Sequence, residues 1–180
     1  TRQAHMEQVI LIDEQNNQIG VADKETVHTT TTPLHRAFSL FLFNSKKHLL
    51  VTQRALNKKT FPGMWTNSVC GHVSPGEQTI DAVKRRASDE LHIVAMDIKE
   101  VAPYRYRFAD VSGVVENEIC PIFIGFTNED PKPSKSEVEA WRWIDWKEFF
   151  ETIQQHPGTY SPWSEEEAII LQHSNLELLQ

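Results

Sequence analysis

The stretch GHVSPGEQTIDAVKRRASDELH, residues 71–92, decides the fold reading. From Thr79 to Leu91 the apolar residues Ile80, Val83, Ala87 and Leu91 recur at helical spacing, which predicts an amphipathic helix. Arg86 and Glu90 stand four apart and leave the same side of that helix. Gly71, Glu77, Arg85, Asp89 and Glu90 follow the spacing G-x5-E-x7-R-x3-D-E, so a loop hands charged residues to a helix in fixed register.

On either side lie strand patterns. Residues 7–13 (EQVILID) read as a strand and residues 15–20 (QNNQIG) as turn material. Residues 37–43 (AFSLFLF) and 49–54 (LLVTQR) flank NSKKH, predicting a hairpin with a five-residue loop. ALNKKTFPGMW is a loop punctuated by Pro62-Gly63. Residues 117–127 (NEICPIFIGFT) read as one strand, PKPSKSE as a surface loop, and residues 139–145 (EAWRWID) as another strand. Trp146, Phe149, Phe150 and Ile153 mark an amphipathic helix. Ser161-Pro162 starts a further helix, with proline at its first position, and helical pattern continues to the end. Strands with interspersed and appended helices give an α/β (α+β) domain.

The 180 residues suit one domain, residues 1–180, in which Thr1–Met6 is a tail given no role. Net charge is −7, which argues against a nucleic-acid binder with a broad basic face. No apolar run is long enough to span a bilayer, and no basic-then-apolar N-terminal stretch suggests a secretory signal. Two cysteines, Cys70 and Cys120, make no disulfide framework, so a reducing, cytoplasmic setting is expected. The cationic clusters around Arg54, Lys58 and Lys59, around Lys84–Arg86, and at Arg105 and Arg107 could bind a small anion. Taken singly, each is more often a solvated surface.

NSVCGH (residues 67–72) sets a cysteine two residues from a histidine. Upstream, VHTTTTPLHRAF places His28 and His35 seven apart, ahead of a buried strand. Downstream, VVENEIC places Glu116 and Glu118 on one strand face, where two like charges repel unless a cation or shared proton offsets the cost. Three histidines and two carboxylates suit a divalent metal with five or six ligands. A lone histidine is more often a satisfied surface residue, and Glu-x-Glu the wet face of a strand, so spacing alone leaves both readings open.

The G-x5-E-x7-R-x3-D-E spacing resembles the Nudix box, a loop–helix–loop in which helix carboxylates hold a metal against a diphosphate. The family pattern has Glu where Arg86 stands, and Glu and Gly where Asp89 and His92 stand. Exchanging a carboxylate for Arg86 weakens the case for ordinary hydrolysis and favours direct contact with phosphate oxygens. The segments WTNSVCGH, HTTTTPLHRAF, YRYRFADVSGVVENEICP and SPW together resemble type I isopentenyl diphosphate isomerase of the compact bacterial type, over residues 7–163.

That resemblance implies a Nudix-like mixed sheet sandwiched by helices, and interconversion of isopentenyl and dimethylallyl diphosphate. Cys70 and Glu118 become the proton-handling pair and Trp163 the indole that stabilises carbocation character. Tyr106 matches a tyrosine hydrogen-bonded to the catalytic carboxylate. His28, His35, His72, Glu116 and Glu118 match ligands of Zn²⁺ or Mn²⁺. Glu90 matches a ligand of the Mg²⁺ that arrives with the substrate, and Lys24, Arg54, Lys58 and Arg86 match residues around its diphosphate. No family role attaches to Cys120, a small packing residue by expectation. The expected partner is a small diphosphate, with no nucleic acid or membrane, acting on a monomer. Two rivals remain: a Nudix hydrolase of a nucleoside diphosphate derivative, which leaves Cys70 and the histidines without work, and a non-catalytic domain that binds a phosphorylated ligand.

Overall fold

In the computed structural model, which describes residues 7–180, the apolar run at Phe38–Phe43 is the axis of the molecule. The tail expected at Thr1–Met6 lies outside the described residues. Along the chain come β1 (Gln8–Ile12), β2 (Gln18–Asp23), α1 (Lys24–Val27), β3 (His35–Phe43) and β4 (His48–Arg54). Next are β5 (Trp65–Thr66), β6 (Val69–His72), α2 (Thr79–Leu91), β7 (Met96–Ala102) and β8 (Arg105–Ala109). The remainder is β9 (Val115–Ile119), β10 (Ile122–Phe126), β11 (Val138–Asp145), α3 (Trp146–Gln155), α4 (Pro162–Gln172) and a 3-10 turn at Glu177–Leu179. None of the described helices is long and apolar enough to cross a membrane.

β3 is central because it is apolar on both faces, as a strand covered on both sides must be. Its alternate residues feed two cores. Phe38, Leu40 and Leu42 pack with Leu50 and with Ala82, Val83, Ala87 and Leu91 of α2. Phe41 and Phe43 pack with Leu49 and Val51 and with Trp146, Phe149, Ala168 and Leu171 of α3 and α4. Each buried phenylalanine stabilises the fold by roughly 2–3 kcal/mol, so one strand anchors both helix layers. β3 runs antiparallel to β4 and β6, and parallel to β9 and β10, which makes the sheet mixed as expected.

α2 spans the predicted residues, but Ile80 is exposed, and the inward face carries Arg86 and Glu90 besides Ala82, Val83, Ala87 and Leu91. The two charged residues can face inward because they pair, Arg86 Nη2 to Glu90 Oε1 at 3.1 Å. His92 ends the helix in the left-handed region, φ 54°. This is the position where the Nudix pattern has glycine, for which that conformation is free of strain. The histidine is held there by the 2.6 Å contact of Nδ1 with the Lys132 carbonyl.

Several boundaries differ from the sequence reading. Residues 117–127 form two strands, because Pro121 has no N–H for the ladder and the chain changes partners there. β9 pairs with β8 and the start of β3, whereas β10 pairs with β7 and the rest of β3. The first turn closes early, at Asp13–Asn17, with Asn16 at φ 64°, so β2 begins inside the expected turn. The β3–β4 loop has its tight turn at residues 44–47, where Asn44 Oδ1 accepts from the N–H groups of Lys46 and His48. α4 begins on Ser161, whose hydroxyl accepts from Ser164 N–H with Pro162 following, and ends at Gln172 rather than running to the terminus.

Candidate active site

One cavity of about 450 Å³ opens between the ends of β3, β6, β8 and β9, α2 and the loop after β4, and every residue expected at the site lines it except His35. His35 is fully buried behind the wall. The strand registers explain the convergence. On β3, Ser39 faces Cys70, Ala37 faces His72, and His35 faces Glu118, which in turn faces Tyr106 on β8. β6 and β9 flank β3 on opposite sides, so Cys70 and Glu118 approach the cavity from different walls.

His28, His35, His72, Glu116 and Glu118 each offer a ligand atom, and these atoms lie within 4.8 Å of one another. His28 Nε2 is 3.1 Å from Glu116 Oε2, and Thr60 hydroxyl donates to the other oxygen of Glu116. His35 Nδ1 donates to the Pro33 carbonyl at 2.9 Å, which turns Nε2 toward the cluster as a lone pair. That buried Nε2 has no hydrogen-bond partner; Glu118 Oε1 lies 3.5 Å away, as it does from His72 Nε2. Burial, then the charges of His35 and His28, hold His72 well below the usual imidazole range, hence neutral and ligand-competent. For His35 burial works downward, but the Glu118 carboxylate beside it wins and raises the pKa. Burial pushes Glu118 up, yet its contacts with His35, Glu116 and His28 bring it below the ordinary value. An orphaned imidazole nitrogen, aimed into a nitrogen-and-oxygen donor set, fits a divalent metal.

Cys70 is half-buried on the cavity wall. Its thiol donates to Asn67 Oδ1 at 3.1 Å. The amide cannot turn, because Asn67 Nδ2 donates to the carbonyls of Leu40 and Val69 at 2.9 and 3.1 Å. Burial first, and the nearby Glu167 second, push Cys70 up to about 12 against the opposing Ser39 hydroxyl and Arg54 charge. It is therefore a thiol at neutral pH. Trp163 is buried, stacked on Tyr106 with centroids 5.7 Å apart, met edge-on by Phe61, and overlain by the Arg54 guanidinium at 5.5 Å. Tyr106 reaches the cavity wall without a hydrogen bond to Glu118 among the described residues, so the expected contact is one of register and not of bonding. Cys120 is buried with Tyr106 and Trp163, in keeping with a packing role.

The other end of the cavity is cationic and already partnered. Lys24 pairs with Glu7 at 3.0 Å and Lys58 with Glu137. Arg86 Nη2 lies 3.5 Å from Glu137 as well as beside Glu90. Burial raises Glu90 above its ordinary value despite Arg86. Burial also pushes Glu137 upward, but Lys58, Arg86 and Lys24 win and bring it down to about 2. The sequence reading passed over Glu137 because it ends PKPSKSE, taken as surface. Thr60, Asn67 and Ser39 were passed over too, since their types and spacing carry no signal before the strands come together. Trp65, Trp141, Trp143 and Trp146 pack in or against the cores, away from the reaction chemistry assigned to Trp163.

The fold and this loop–helix define a Nudix-class domain: the NUDIX domain family matches residues 33–164. A crystal structure from Deinococcus radiodurans superposes with a TM-score of 0.71, covering 91% of this chain and 98% of that one. A MutT protein from Methanosarcina mazei gives 0.64, covering 81% and 97%. Identities of 18% and 20% make these likenesses of fold alone. Curated relatives are nearer. The isopentenyl-diphosphate Delta-isomerase of Saccharopolyspora erythraea is 46% identical over 159 residues, covering 88% of this chain and 82% of that protein. Its namesake in Kocuria rhizophila is 45% identical over 158 residues, covering 87% and 88%. The chain belongs to the isopentenyl-diphosphate Delta-isomerase family.

Proposed function

We propose that this site interconverts isopentenyl and dimethylallyl diphosphate, with Cys70 and Glu118 as the two proton-handling groups. The observation that carries the reading is their placement: a thiol and a carboxylate on strands flanking β3, facing one cavity. Isomerisation adds a proton at one carbon of the allylic unit and removes one from another, so no net proton is consumed. One wall must give what the other takes. Cys70 can give from its thiol, and Glu118 can accept as a carboxylate; the reverse direction exchanges the roles.

The intermediate cationic character needs a partner that cannot attack it. Trp163 supplies an indole, and a ring that already carries the Arg54 guanidinium at 5.5 Å suits positive charge. Lys24, Arg54, Lys58 and Arg86 bind the diphosphate; Lys24, Lys58 and Arg86 leave carboxylate partners to do so, and Arg54 leaves the oxygens of Thr60. Glu90 holds the accompanying Mg²⁺. His28, His35, His72, Glu116 and Glu118 hold Zn²⁺ or Mn²⁺, whose charge, when bound, favours the ionised form of Glu118. The same reading takes the protein as a monomer of the cytoplasm, where free cysteines such as Cys70 and Cys120 are the rule.

Proton NMR of isopentenyl diphosphate with the protein and Mg²⁺ in D₂O tests the reading. The expected result is dimethylallyl diphosphate deuterated in its new methyl group, with conversion slowed about 10²–10⁴-fold in Cys70→Ala and in Glu118→Gln. Unlabelled, intact substrate would overturn it, and phosphate release from a nucleoside diphosphate derivative would favour a hydrolase.

A further inference from the structure

Glu167 is a titratable group that the reaction scheme leaves unused. It lies on α4, fully buried, one turn beyond Trp163. Ser39 hydroxyl donates to its Oε1 at 3.0 Å, while Oε2 has no partner. Among the described residues no cationic side chain lies within ion-pair distance of it, so a charge there would be buried without compensation. The carboxyl is therefore neutral, and its pKa is accordingly raised well above the usual range, by burial first. The same Ser39 oxygen stands 3.6 Å from Cys70 Sγ and 3.3 Å from Cys120 Sγ.

We propose that Glu167 is a positioning residue for Cys70, a neutral carboxyl that acts through the Ser39 hydroxyl and supports the sulfur in both of its protonation states. A serine hydroxyl has one hydrogen to give. While Cys70 is a thiol, its own hydrogen goes to Asn67 Oδ1, and that of Ser39 goes to Glu167. Once the sulfur has passed its proton to the substrate carbon, Ser39 turns its hydrogen to the thiolate. The carboxyl of Glu167 then turns its protonated oxygen, until now the unpartnered one, toward Ser39, and its O–H donates to the Ser39 oxygen. No proton changes owner in the relay; one carboxyl rotation and a reversal of hydrogen-bond direction suffice. An ionised carboxylate could not do this, since it has no hydrogen to return and would repel the thiolate. A carboxamide could, because it offers both an acceptor and a donor.

The inference rests on the isomerase reading, and kinetics on both directions of isomerisation separate the two. Glu167→Gln is expected to keep kcat within about twofold of the parent chain, whereas Glu167→Leu lowers kcat by roughly 10–100-fold with KM nearly unchanged. Ser39→Ala, smaller and better tolerated by the core, gives the same kcat loss, and the double variant Ser39→Ala/Glu167→Leu loses no more than the worse single one. Full kcat in Ser39→Ala overturns the inference while leaving the isomerase reading intact, as does a Glu167→Gln variant as slow as Glu167→Leu. No conversion by the unsubstituted protein overturns the reading and the inference with it.

Discussion

Glu137 shows how one side chain can tie the fold's stability to the state of its binding site. Its carboxylate holds Lys58 and Arg86 where the diphosphate is proposed to sit, and the attraction lowers its pKa from 4.5 to about 2 against the cost of burial. A depressed carboxyl stabilises the folded state fully above its unfolded pKa, and that contribution fades as pH falls from about 4.5 toward 2. The pair is partly exposed, so about 1–2 kcal/mol at neutral pH is a reasonable size after screening. Urea titrations of the parent and Glu137→Gln should show that gap at pH 7 and its closure in acid. A gap independent of pH would mean that packing, and not charge, holds the loop. Cys70 adds the opposite sign at the alkaline end. Its thiol, raised to about 12 from 9.0, resists ionisation in the fold, so stability falls as pH climbs through that range.

At the scale of elements, the contact of β6 with α2 joins the thiol to the diphosphate end. A Cβ on Gly71 would stand 2.8 Å from Arg86 Cγ and 2.9 Å from Phe38 Cζ, so only glycine fits between strand and helix. Gly71→Ala must push Arg86 outward or shift a core ring, at about 1–3 kcal/mol. Chemical denaturation should record that loss, and the KM for isopentenyl diphosphate should rise more than kcat falls. An unchanged KM would show that Arg86 does not meet the diphosphate. The first glycine of the box was thus legible as pattern, but its reason is a tertiary contact. The same division holds elsewhere. α2, the β3–β4 pair and the start of α4 were plain from periodicity and capping, because those signals are local. The break at Pro121 was visible as a proline but not as a change of partner strand. β5, β6, β7 and β8 went unread, since short or half-exposed strands such as MDIKEVA take their order from neighbours far along the chain. Within the site, Cys70, the histidines and the glutamates stood out by type and motif. Ser39, Asn67 and Glu167 did not, because an ordinary polar residue acquires its role only once burial leaves it a single partner.

For the whole molecule, the five-donor cluster links segments that the sheet alone joins weakly. His28 precedes β3, His35 opens it, His72 closes β6, and Glu116 and Glu118 lie on β9, whose pairing with β3 spans only His35↔Glu118 and Arg36↔Ile119. Without a cation, the two buried carboxylates rely on imidazoles and Thr60 for compensation. A bound divalent ion would satisfy both carboxylates and the orphaned His35 Nε2 together, and would pin β9 and the loop carrying His28 to β3. Metal that binds only the folded chain stabilises by mass action, about 2.7 kcal/mol at a hundredfold excess over Kd. Thermal melts of chelator-treated protein should therefore rise on adding Zn²⁺ or Mn²⁺, and His35→Gln should abolish the rise. Because the ligands must be unprotonated, the rise should shrink as pH falls, beginning above the ordinary imidazole value of 6.5 at His35, whose pKa is raised, and reaching His72, held well below it, last. A melt indifferent to both ions at neutral pH would mean that the cluster folds as a self-sufficient hydrogen-bonded network and that β9 is held by strand pairing alone.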